Sequence, residues 1–385
     1  MSLDEHRGTQ MLIRTLIVIA VLLLGCISAS RGSVDAQTSS TDVDVYDVFL
    51  NRTATLGNDT FYFVSLRTGL STLVTVDSAT NVRDDALLGR GVLFRDKTGA
   101  ASEAYPDGHS TSLDFIGLVP RGGTLQWAVS ANHDWIAWVM SRTEAGSLLS
   151  DLYVAQADGT RKQLALHTSS SKGLGLYLLA IADDGGTIFY SRQTDLTNTG
   201  NTYPTASDIY QITIANSQFT TLPGEPRCSC AAAFSSNGHL FFRLESTPHG
   251  FAAHFIDLSG STTQNSANTA EVRIDPPGSG DGLPTVQAGD ALLSEKGNLA
   301  VYGVASGILG SKSTQYTLIL ADAVLRQQRV IVPPRPDQLR PIAFESNGSN
   351  ALLLVNANND GTYRLWLPDG ALTQLSADTY LGTLN

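Results

Sequence analysis

The sequence predicts an all-β protein built from a repeated four-stranded unit. A short phrase recurs about every fifty residues and consists of an apolar run, a polar turn that usually contains Gly, and a second apolar run. The phrase is clearest at residues 129–138, 181–190, 234–242, 293–301 and 344–352. Two apolar runs joined by an Asn-Gly or Asp-Gly turn are typical of a β-hairpin. Because the period is fixed and the repeated elements are strands, the pattern predicts a β-propeller.

A second pair of strand-like runs follows each hairpin. The best copy is residues 151–164, and weaker copies begin at Asp208, His254, Tyr316 and Tyr363. Two hairpins per repeat make a four-stranded blade, whose strands we name a, b, c and d in chain order. No stretch has the pattern of a long amphipathic helix.

The number of repeats sets the size of the ring. Clear blades begin near residues 125, 177, 230, 290 and 341, and a degenerate blade spans residues 84–120. The segment before it offers only three strands, at Val45–Leu50, Phe61–Leu66 and Leu73–Val76. We therefore expect seven blades, with a terminal segment that supplies the missing strand and closes the ring; six blades are the alternative. Since each blade packs mainly on its neighbours, one propeller domain can extend over residues 37–385.

The paired hairpins resemble the TolB-like family of bacterial propellers. The repeat of that family runs Ser-Pro-Asp-Gly, apolar strand, loop, Asp-Leu-Tyr-Val, Asp-Gly-Gly and Gln-Leu-Thr, and residues 151–164 match its second half closely. The first half departs from the family, because Ser-Pro-Asp-Gly is replaced by sequences such as Ser235-Ser236-Asn237-Gly238. The resemblance covers residues 123–380 well and residues 43–120 poorly. It implies the fold and a bacterial exported protein, and it indicates no activity, since propellers include enzymes, receptors and scaffolds.

Residues 1–36 are expected to lie outside the fold as a signal peptide or lipoprotein leader. Arg7 and Arg14 precede an apolar run at residues 16–24. This run has the length of a signal-peptide core and is short for a membrane-spanning helix.

The processing of this leader has three alternatives. Leu23-Leu24-Gly25-Cys26 resembles a bacterial lipobox, which would make Cys26 the lipidated N-terminus. Cleavage after Ala36 would instead give a secreted protein, and an uncleaved leader would act as a membrane anchor. All three alternatives predict a propeller outside the cytoplasm.

Cys228 and Cys230 lie at the start of a predicted a strand. Residues two apart in a strand face the same side, so the two thiols are neighbours. Their Cα atoms would be near the upper limit of separation for a disulfide, which would require a local bend. A disulfide and a pair of reduced, packed cysteines both remain open.

The formal net charge is −11, and the sequence contains no cluster of Lys and Arg. Neutralising nucleic-acid phosphates requires a basic surface, so we expect no nucleic-acid partner. Docking on anionic lipid through charge is disfavoured for the same reason. Contact with a membrane is expected only through an N-terminal lipid or anchor.

The predicted connections differ in length. Strands alternate in direction, so the a–b and c–d turns lie at one end of the ring and the b–c and d–a connections at the other. The long connections predicted by the sequence are Arg192–Ser207, Glu245–Ala253 and Ala305–Gln315 between strands b and c, and His167–Gly175 and Ser259–Gly289 between strands d and a. We expect them to gather on one face of the ring, because loops on a rigid scaffold usually carry the binding residues.

Candidate partner-contacting residues are the polar and aromatic residues of two of these connections. They are Asp195, Asn201, Tyr203, His249 and Phe251.

The sequence contains no complete catalytic set, cofactor motif or metal-ligand spacing, so we assign no catalytic, cofactor or metal residue. Gly108-His109-Ser110 lacks the strand-to-helix context of a nucleophile elbow. Asn356-x-Asn358-x-Asp360-Gly361 lacks the final glutamate of a calcium loop. The tryptophans lie in predicted strands and are expected to pack between blades: Trp127, Trp135, Trp138 and Trp366.

These observations favour a monomeric, non-catalytic propeller that binds a protein, a peptide or an envelope glycan through its long connections. The alternative is a propeller hydrolase or lyase with a metal ion in the central channel.

Overall fold

The computed structural model describes residues 44–53, 57–79, 84–193, 203, 206, 208–223, 231–259, 271–276, 285–345, 351–357 and 361–384. All regular structure in these residues is β, and it forms seven four-stranded antiparallel sheets. Successive sheets contact each other through their first strands and close into a ring. The prediction of a seven-bladed propeller is confirmed. None of the described residues forms a helix with the length and apolarity needed to cross a bilayer.

Each of the first four blades runs from an inner strand outward. Blade 1 contains β28 (Thr379–Leu384), β1 (Tyr46–Thr53), β2 (Asn58–Ser65) and β3 (Ser71–Asp77). Blade 2 contains β4 (Ala86–Leu88), β5 (Gly91–Arg95), β6 (Ala101–Ala104) and β7 (Ser110–Ser112). Blade 3 contains β8 (Thr124–Val129), β9 (Trp135–Glu144), β10 (Ser147–Gln156) and β11 (Gln163–Ser170). Blade 4 contains β12 (Gly175–Ile181), β13 (Thr187–Gln193), β14 (Ile209–Thr213) and β15 (Gln218–Thr221).

The last three blades follow the same order. Blade 5 contains β16 (Ala232–Phe234), β17 (Leu240–Thr247), β18 (Gly250–Asp257) and β19 (Glu271–Ile274). Blade 6 contains β20 (Thr285–Leu293), β21 (Leu299–Ser306), β22 (Gln315–Asp322) and β23 (Gln327–Arg335). Blade 7 contains β24 (Leu339–Phe344), β25 (Ala351–Asn356), β26 (Thr362–Trp366) and β27 (Leu372–Ser376).

The C-terminal strand closes the ring. β28 pairs antiparallel with β1, with Tyr46 opposite Leu384, and it supplies the inner strand that the N-terminal segment lacks. The Asp47 side chain stabilises the pairing of β1 with β28, because its Oδ1 accepts hydrogen bonds from Tyr380 Oη at 3.1 Å and Thr383 Oγ1 at 2.8 Å. Burial raises the pKa of Tyr380 to about 12, so this hydroxyl stays a donor at neutral pH.

The recurrent phrase forms the turn between strands a and b. In blade 3 the backbone N of Trp135 donates to Ser130 Oγ at 3.0 Å, and that hydroxyl donates to Asn132 Oδ1 at 2.7 Å. Blade 5 repeats the bond, with Ser235 Oγ donating to Asn237 Oδ1 at 2.7 Å. The side chains thus satisfy the backbone groups that a tight turn leaves free.

These turns also join neighbouring blades. The backbone N of Asn132 donates to Asp183 Oδ1 at 2.9 Å, and the backbone N of Asp183 donates to Ser236 O at 2.8 Å. Gly185 has a φ of +68° and packs flat on the Trp135 ring, where a Cβ atom would overlap the indole. Only glycine meets both conditions, which explains its place in the repeated phrase.

The two faces of the ring are defined by their connections. The a–b and c–d turns lie on what we call the short-turn face, and the b–c and d–a connections lie on the long-loop face. The longer connections on the long-loop face are residues 113–123, 194–208, 222–231, 275–284 and 307–314.

Three predicted long connections are wrong. The predicted Glu245–Ala253 loop is a tight hairpin between β17 and β18, closed by a hydrogen bond from Thr247 Oγ1 to Gly250 O at 2.9 Å. The predicted His167–Gly175 connection is short, since β11 continues to Ser170. The predicted Ser259–Gly289 connection contains β19, so residues 258–270 join strands c and d on the short-turn face. The long connections therefore concentrate on one face without being confined to it.

The first prediction concerns ring closure. A chain that ends at Asp378 lacks β28, so blade 1 loses its inner strand and half of the hydrogen bonds of β1. We expect this chain to lose the single cooperative unfolding transition of the full chain, as measured by urea denaturation followed by far-UV circular dichroism. The milder change Asp47→Ala should lower the free energy of unfolding by about 1–2 kcal/mol, because two half-buried hydroxyls lose their acceptor. An unchanged transition midpoint in the truncated chain would contradict the closure.

Candidate functional site

Tyr203 is the best-placed described residue of the connection between β13 and β14. Its side chain is fully buried, and its backbone N donates to Gln287 Oε1 at 3.2 Å. The Tyr203 ring fills a slot over Gly289 and Gly303, which are paired across β20 and β21. A Cβ atom at either glycine would overlap Tyr203, so the slot exists because both residues lack side chains.

The slot lies between blades 6 and 7. Successive residues of β21 face blade 5 and blade 7 in turn. Gly303 lies on the same side of the strand as Val301, which packs on blade 7. The chain leaves blade 4 at Gln193 and resumes that blade at Ile209. Tyr203 therefore links the connection that leaves blade 4 to blade 6 on the long-loop face.

An ion pair on two inner strands lies beside Tyr203. Arg340 Nη2 donates to Asp290 Oδ1 at 2.8 Å, and Gln338 Nε2 donates to Asp290 Oδ2 at 3.2 Å. Asp290 lies in a β-bulge of β20 and has a φ of +50°. Such a conformation costs free energy for a non-glycine residue, and it turns the Asp290 carboxylate toward blade 7.

Arg340 interacts electrostatically with Asp290 and also with a residue of blade 4. The Asp290 carboxylate raises the pKa of Arg340, and the hydroxyls of Tyr203 and Tyr177 act in the same direction. Tyr177 lies on β12, the inner strand of blade 4. Burial raises the pKa of Tyr203, whose hydroxyl has no hydrogen-bond partner among the described residues. The channel mouth thus contains a neutralised ion pair and a neutral phenol.

A second polar group lies in blade 5 and faces blade 4. His254 Nε2 is 2.8 Å from Glu245 Oε2, and His254 Nδ1 contacts Glu271. Arg273 Nε donates to Glu245 Oε2 at 3.2 Å. The hydrogen bond from His254, with a smaller contribution from Arg273, holds the pKa of Glu245 below its usual value. Every charge in this group has a partner, so it stabilises the outer strands of the blade.

Glu103 is the carboxyl with the most perturbed pKa. It lies on β6, is 4 % exposed, and packs on Gly91 at the junction of blades 2 and 3. Burial raises its pKa to about 7, although the Tyr105 hydroxyl donates to it at 2.7 Å. A raised carboxyl pKa is a common mark of a catalytic acid. Glu103 is enclosed by packed side chains, so its effect is on stability.

The structure places the predicted contact residues in different environments. His249 is exposed in the hairpin between β17 and β18, on the long-loop face. Phe251 is buried between blades 5 and 6, and Tyr203 is buried between blades 6 and 7. Since neither side chain reaches the surface, we drop Phe251 and Tyr203 from the candidate contacts. The remaining predicted residues lie outside the described part of the chain: Cys26, Asp195, Asn201, Cys228 and Cys230.

Exposed apolar side chains mark three connections of the long-loop face. They are Leu118, Leu174 and Ile308. The connection that carries Ile308 is held in shape by its own hydroxyls, because Ser311 Oγ and Thr314 Oγ1 both donate to Ile308 O at 2.7 Å. Among the described residues, no group of three His, Cys, Asp or Glu side chains has the arrangement of a metal site.

Sequence reasoning missed Tyr203 as an anchor and the pair Asp290–Arg340. The signals were present as isolated glycines in strand runs, which indicate close approach by another group. An Asp next to Gly289 in an apolar strand was a second signal.

Comparison with known proteins supports the fold. No family model matches the chain, and no curated protein matches it in sequence. A puromycin-hydrolysing peptidase from Mycobacterium tuberculosis is similar in structure, with a TM-score of 0.52, 11% identity, and coverage of 86% of this chain and 53% of the peptidase. This chain thus spans about half the length of that enzyme.

Two TolB structures also align with the chain. Putative TolB from Agrobacterium tumefaciens has a TM-score of 0.42 and 15% identity, covering 74% of this chain and 88% of its own. TolB from Acinetobacter baumannii has a TM-score of 0.43 and 12% identity, covering 89% and 82% respectively. At these identities the similarity extends to the β-propeller fold alone.

The second prediction concerns the Tyr203 slot. Tyr203→Ala should lower the free energy of unfolding by about 3–5 kcal/mol, because it leaves a buried cavity between two blades. Tyr203→Phe is the matched control: it keeps the ring and removes a hydroxyl that has no described partner, so its stability should equal or exceed that of the unaltered chain. Guanidinium denaturation measures both. Equal destabilisation by the two changes would show that the hydroxyl, and not the ring, makes the contact.

The third prediction concerns pH. Below pH 4.5 Glu103 is protonated in both the folded and unfolded states. Between pH 4.5 and about 7 the unfolded chain loses this proton while the folded chain keeps it, so the free energy of unfolding falls as pH rises. The total loss is on the order of 3 kcal/mol and is complete above pH 7. Glu103→Gln should flatten this part of the stability profile, as measured by urea denaturation between pH 5 and pH 8. An unaltered slope in Glu103→Gln would assign the pH dependence to other groups.

Proposed function

We propose that this chain is a non-catalytic, TolB-like propeller of the bacterial cell envelope that binds a protein or peptide partner through its long-loop face. The observation that carries the proposal is the link that Tyr203 makes between the connection of blade 4 and blade 6 on the long-loop face. A face on which connections of different blades pack together offers a broad surface, which suits a macromolecular partner better than a small molecule entering the channel.

The composition of that face supports the proposal. Leu118, Leu174 and Ile308 project apolar side chains from connections on three different parts of the rim, and His249 adds a polar contact. Apolar anchors surrounded by polar residues are the usual anatomy of a protein interface. A flexible surface glycan would require hydrogen-bonding side chains in larger number, so we place a protein or peptide first and an envelope glycan second.

The location of the protein follows from its leader. We propose export from the cytoplasm, with lipidation at Cys26 preferred to cleavage after Ala36 and to an uncleaved anchor. We further propose that the propeller acts as a monomer, since every blade of a closed ring already packs against a neighbouring blade on each side.

The alternative is a propeller enzyme that uses the channel. The observation that favours it is Asp290, held in a costly backbone conformation at the channel mouth. Arg340 neutralises that carboxylate, and a catalytic acid or base would require it free of this ion pair. We therefore rank this function second.

The fourth prediction tests the partner surface. Leu118→Asp, Leu174→Asp and Ile308→Asp are combined in one variant of the full chain. The matched control combines Leu73→Asp, Phe219→Asp and Leu375→Asp on the outer strands of blades 1, 4 and 7, where the side chains are similarly exposed. Each chain is expressed in its native cell, crosslinked in place, and its crosslinked proteins are quantified by mass spectrometry. The long-loop variant should lose its specific partner at least about tenfold, because buried apolar anchors dominate interface energy.

The control should keep the partner that the long-loop variant loses. Equal crosslinking by both variants, or a loss confined to the control variant, would remove the long-loop face as the binding surface. Near-UV circular dichroism of both variants establishes that the fold is intact.

A further inference from the structure

Exposed apolar side chains also cluster on the short-turn face, in or next to the c–d turns of three consecutive blades. We call this set the apolar arc: Val324 (73 % exposed) and Leu325 (64 %) on blade 6, Trp366 (42 %) at the end of β26 on blade 7, and Leu66 (57 %) and Leu70 (73 %) on blade 1. The c–d turns of blades 2, 3 and 4, all of them described, expose no large apolar side chain, and the exposed Leu164 and Phe219 lie on the outer strands that follow two of these turns. Apolar c–d turns are therefore a local feature of the ring.

The turns of the arc are held in fixed conformations. On blade 6, Asp322 Oδ1 accepts hydrogen bonds from the backbone N of Val324 and of Leu325, both at 2.9 Å. On blade 1, Ser65 Oγ accepts one from the backbone N of Thr68 at 3.1 Å. These bonds hold Val324, Leu325 and their counterparts on blade 1 away from the core. Their exposure is built into the turns.

Trp366 corrects an expectation from the sequence, which placed it between blades. It alternates with Leu365 and Leu367, which are buried against blade 6, so Trp366 points to the side of blade 1. Core clusters of the described residues fill the other six blade junctions, and none spans the junction of blades 7 and 1. Trp366 remains half in solvent beside the turn of blade 1.

The chain enters the propeller at this same arc. The backbone N of Leu66 donates to Val45 O at 2.8 Å, and Ser65 Oγ donates to Asp44 Oδ1 at 3.0 Å. Arg67 Nε is 3.3 Å from the same Asp44 oxygen. The first described residues therefore lie directly against the apolar turn of blade 1. Cys26 and the apolar leader precede Asp44 by a segment short enough to keep the arc within about 60 Å of any membrane that holds the leader.

We propose that the apolar arc is a membrane-contact surface that inserts into the interfacial region of the lipid bilayer to which the N-terminal leader is attached. This inference rests on the extracytoplasmic leader proposed above, and it goes beyond that proposal in giving the propeller an orientation. The short-turn face lies on the membrane, and the long-loop face points away from it toward the partner.

The chemistry of the arc fits the lipid interface. Leu and Val side chains bury themselves at the level of the upper acyl chains, while Trp prefers the headgroup boundary. Arg67 and Arg326, both exposed, flank the apolar side chains at the height of the phosphates. The net charge of −11 opposes attraction to anionic lipid, so the contact depends on apolar burial and does not require anionic headgroups.

Five side chains give only weak membrane affinity by themselves. The leader changes this, because a tether raises the effective concentration of the arc at the bilayer and makes the second contact intramolecular. The arc then serves to fix the orientation of the propeller, whereas the leader supplies the attachment.

The fifth prediction is made on the full chain, with its leader intact, reconstituted into phosphatidylcholine vesicles. Lipids brominated on the acyl chains quench tryptophan fluorescence over short distances. We expect the lipids to quench the fluorescence of Trp366. The variant Trp366→Phe keeps the three other tryptophans, and its quenching defines the residual level due to them. A variant with Leu66→Ser, Leu70→Ser, Val324→Ser and Leu325→Ser should lose quenching down to that level while remaining bound to the vesicles. Leu118→Ser with Ile308→Ser, on the opposite face, is the matched control and should quench like the unaltered chain.

Three results would overturn the proposal. The first is full-length protein that stays on the vesicles without quenching of Trp366, and the second is quenching that the four-serine variant retains. The third is a Trp366 emission shift that follows protein concentration in the absence of lipid, which would assign the arc to a second copy of the chain. Both readouts are independent of partner crosslinking on the long-loop face, so failure of either proposal leaves the other testable.

Discussion

The pairing of β28 with β1 is the constraint on which the ring depends. Six blade junctions contain an apolar core of described residues, but the seventh, between blades 7 and 1, is held by polar bonds. Asn51 Nδ2 donates to Asp378 Oδ1 at 2.7 Å, and Thr362 Oγ1 both donates to Asp378 O at 2.7 Å and accepts from the backbone N of Tyr380 at 2.8 Å. Without the final strand the molecule is a curved stack with two open ends; with it, each blade is supported on both sides.

The repeated turn could be predicted because its causes are local. Ser235, Asn237 and the left-handed Gly238 lie within four residues and form one turn, so the pattern is visible within a single copy. The strand that completes blade 1 could be predicted because the N-terminal segment offers three strands where a blade needs four. The hairpin of blade 5 could not, because Glu245 looks like a loop residue until the strand that pairs its charge with His254 is known. A polar residue in a strand is distinguished from one in a loop by its partner, and the sequence does not reveal that partner.

The same limit applies more strongly to the candidate site. Tyr203 has the sequence context of an exposed loop residue, yet its environment is supplied by Gly289 and Gly303, which lie about two blades further along the chain. The slot is a space left by two paired glycines. The sequence of the two strands does not show that the Tyr203 ring fills it. Leu118 and Ile308, by contrast, were invisible as surface residues because an isolated apolar residue in a loop has no characteristic spacing.

The two pairings of β1 have a mechanical consequence for the closed ring. The chain enters β1 from the short-turn face, and β1 pairs with β2 over Tyr46–Thr53 and with β28 over Tyr46–Leu50. A force that pulled Asp44 along the axis of β1 would act on the end where both pairings begin. Such a force loads the hydrogen bonds on both sides of the strand together, in shear, instead of opening them one at a time from an end. The two ladders of β1 would thus share the load, and the bonds that close the ring are among them.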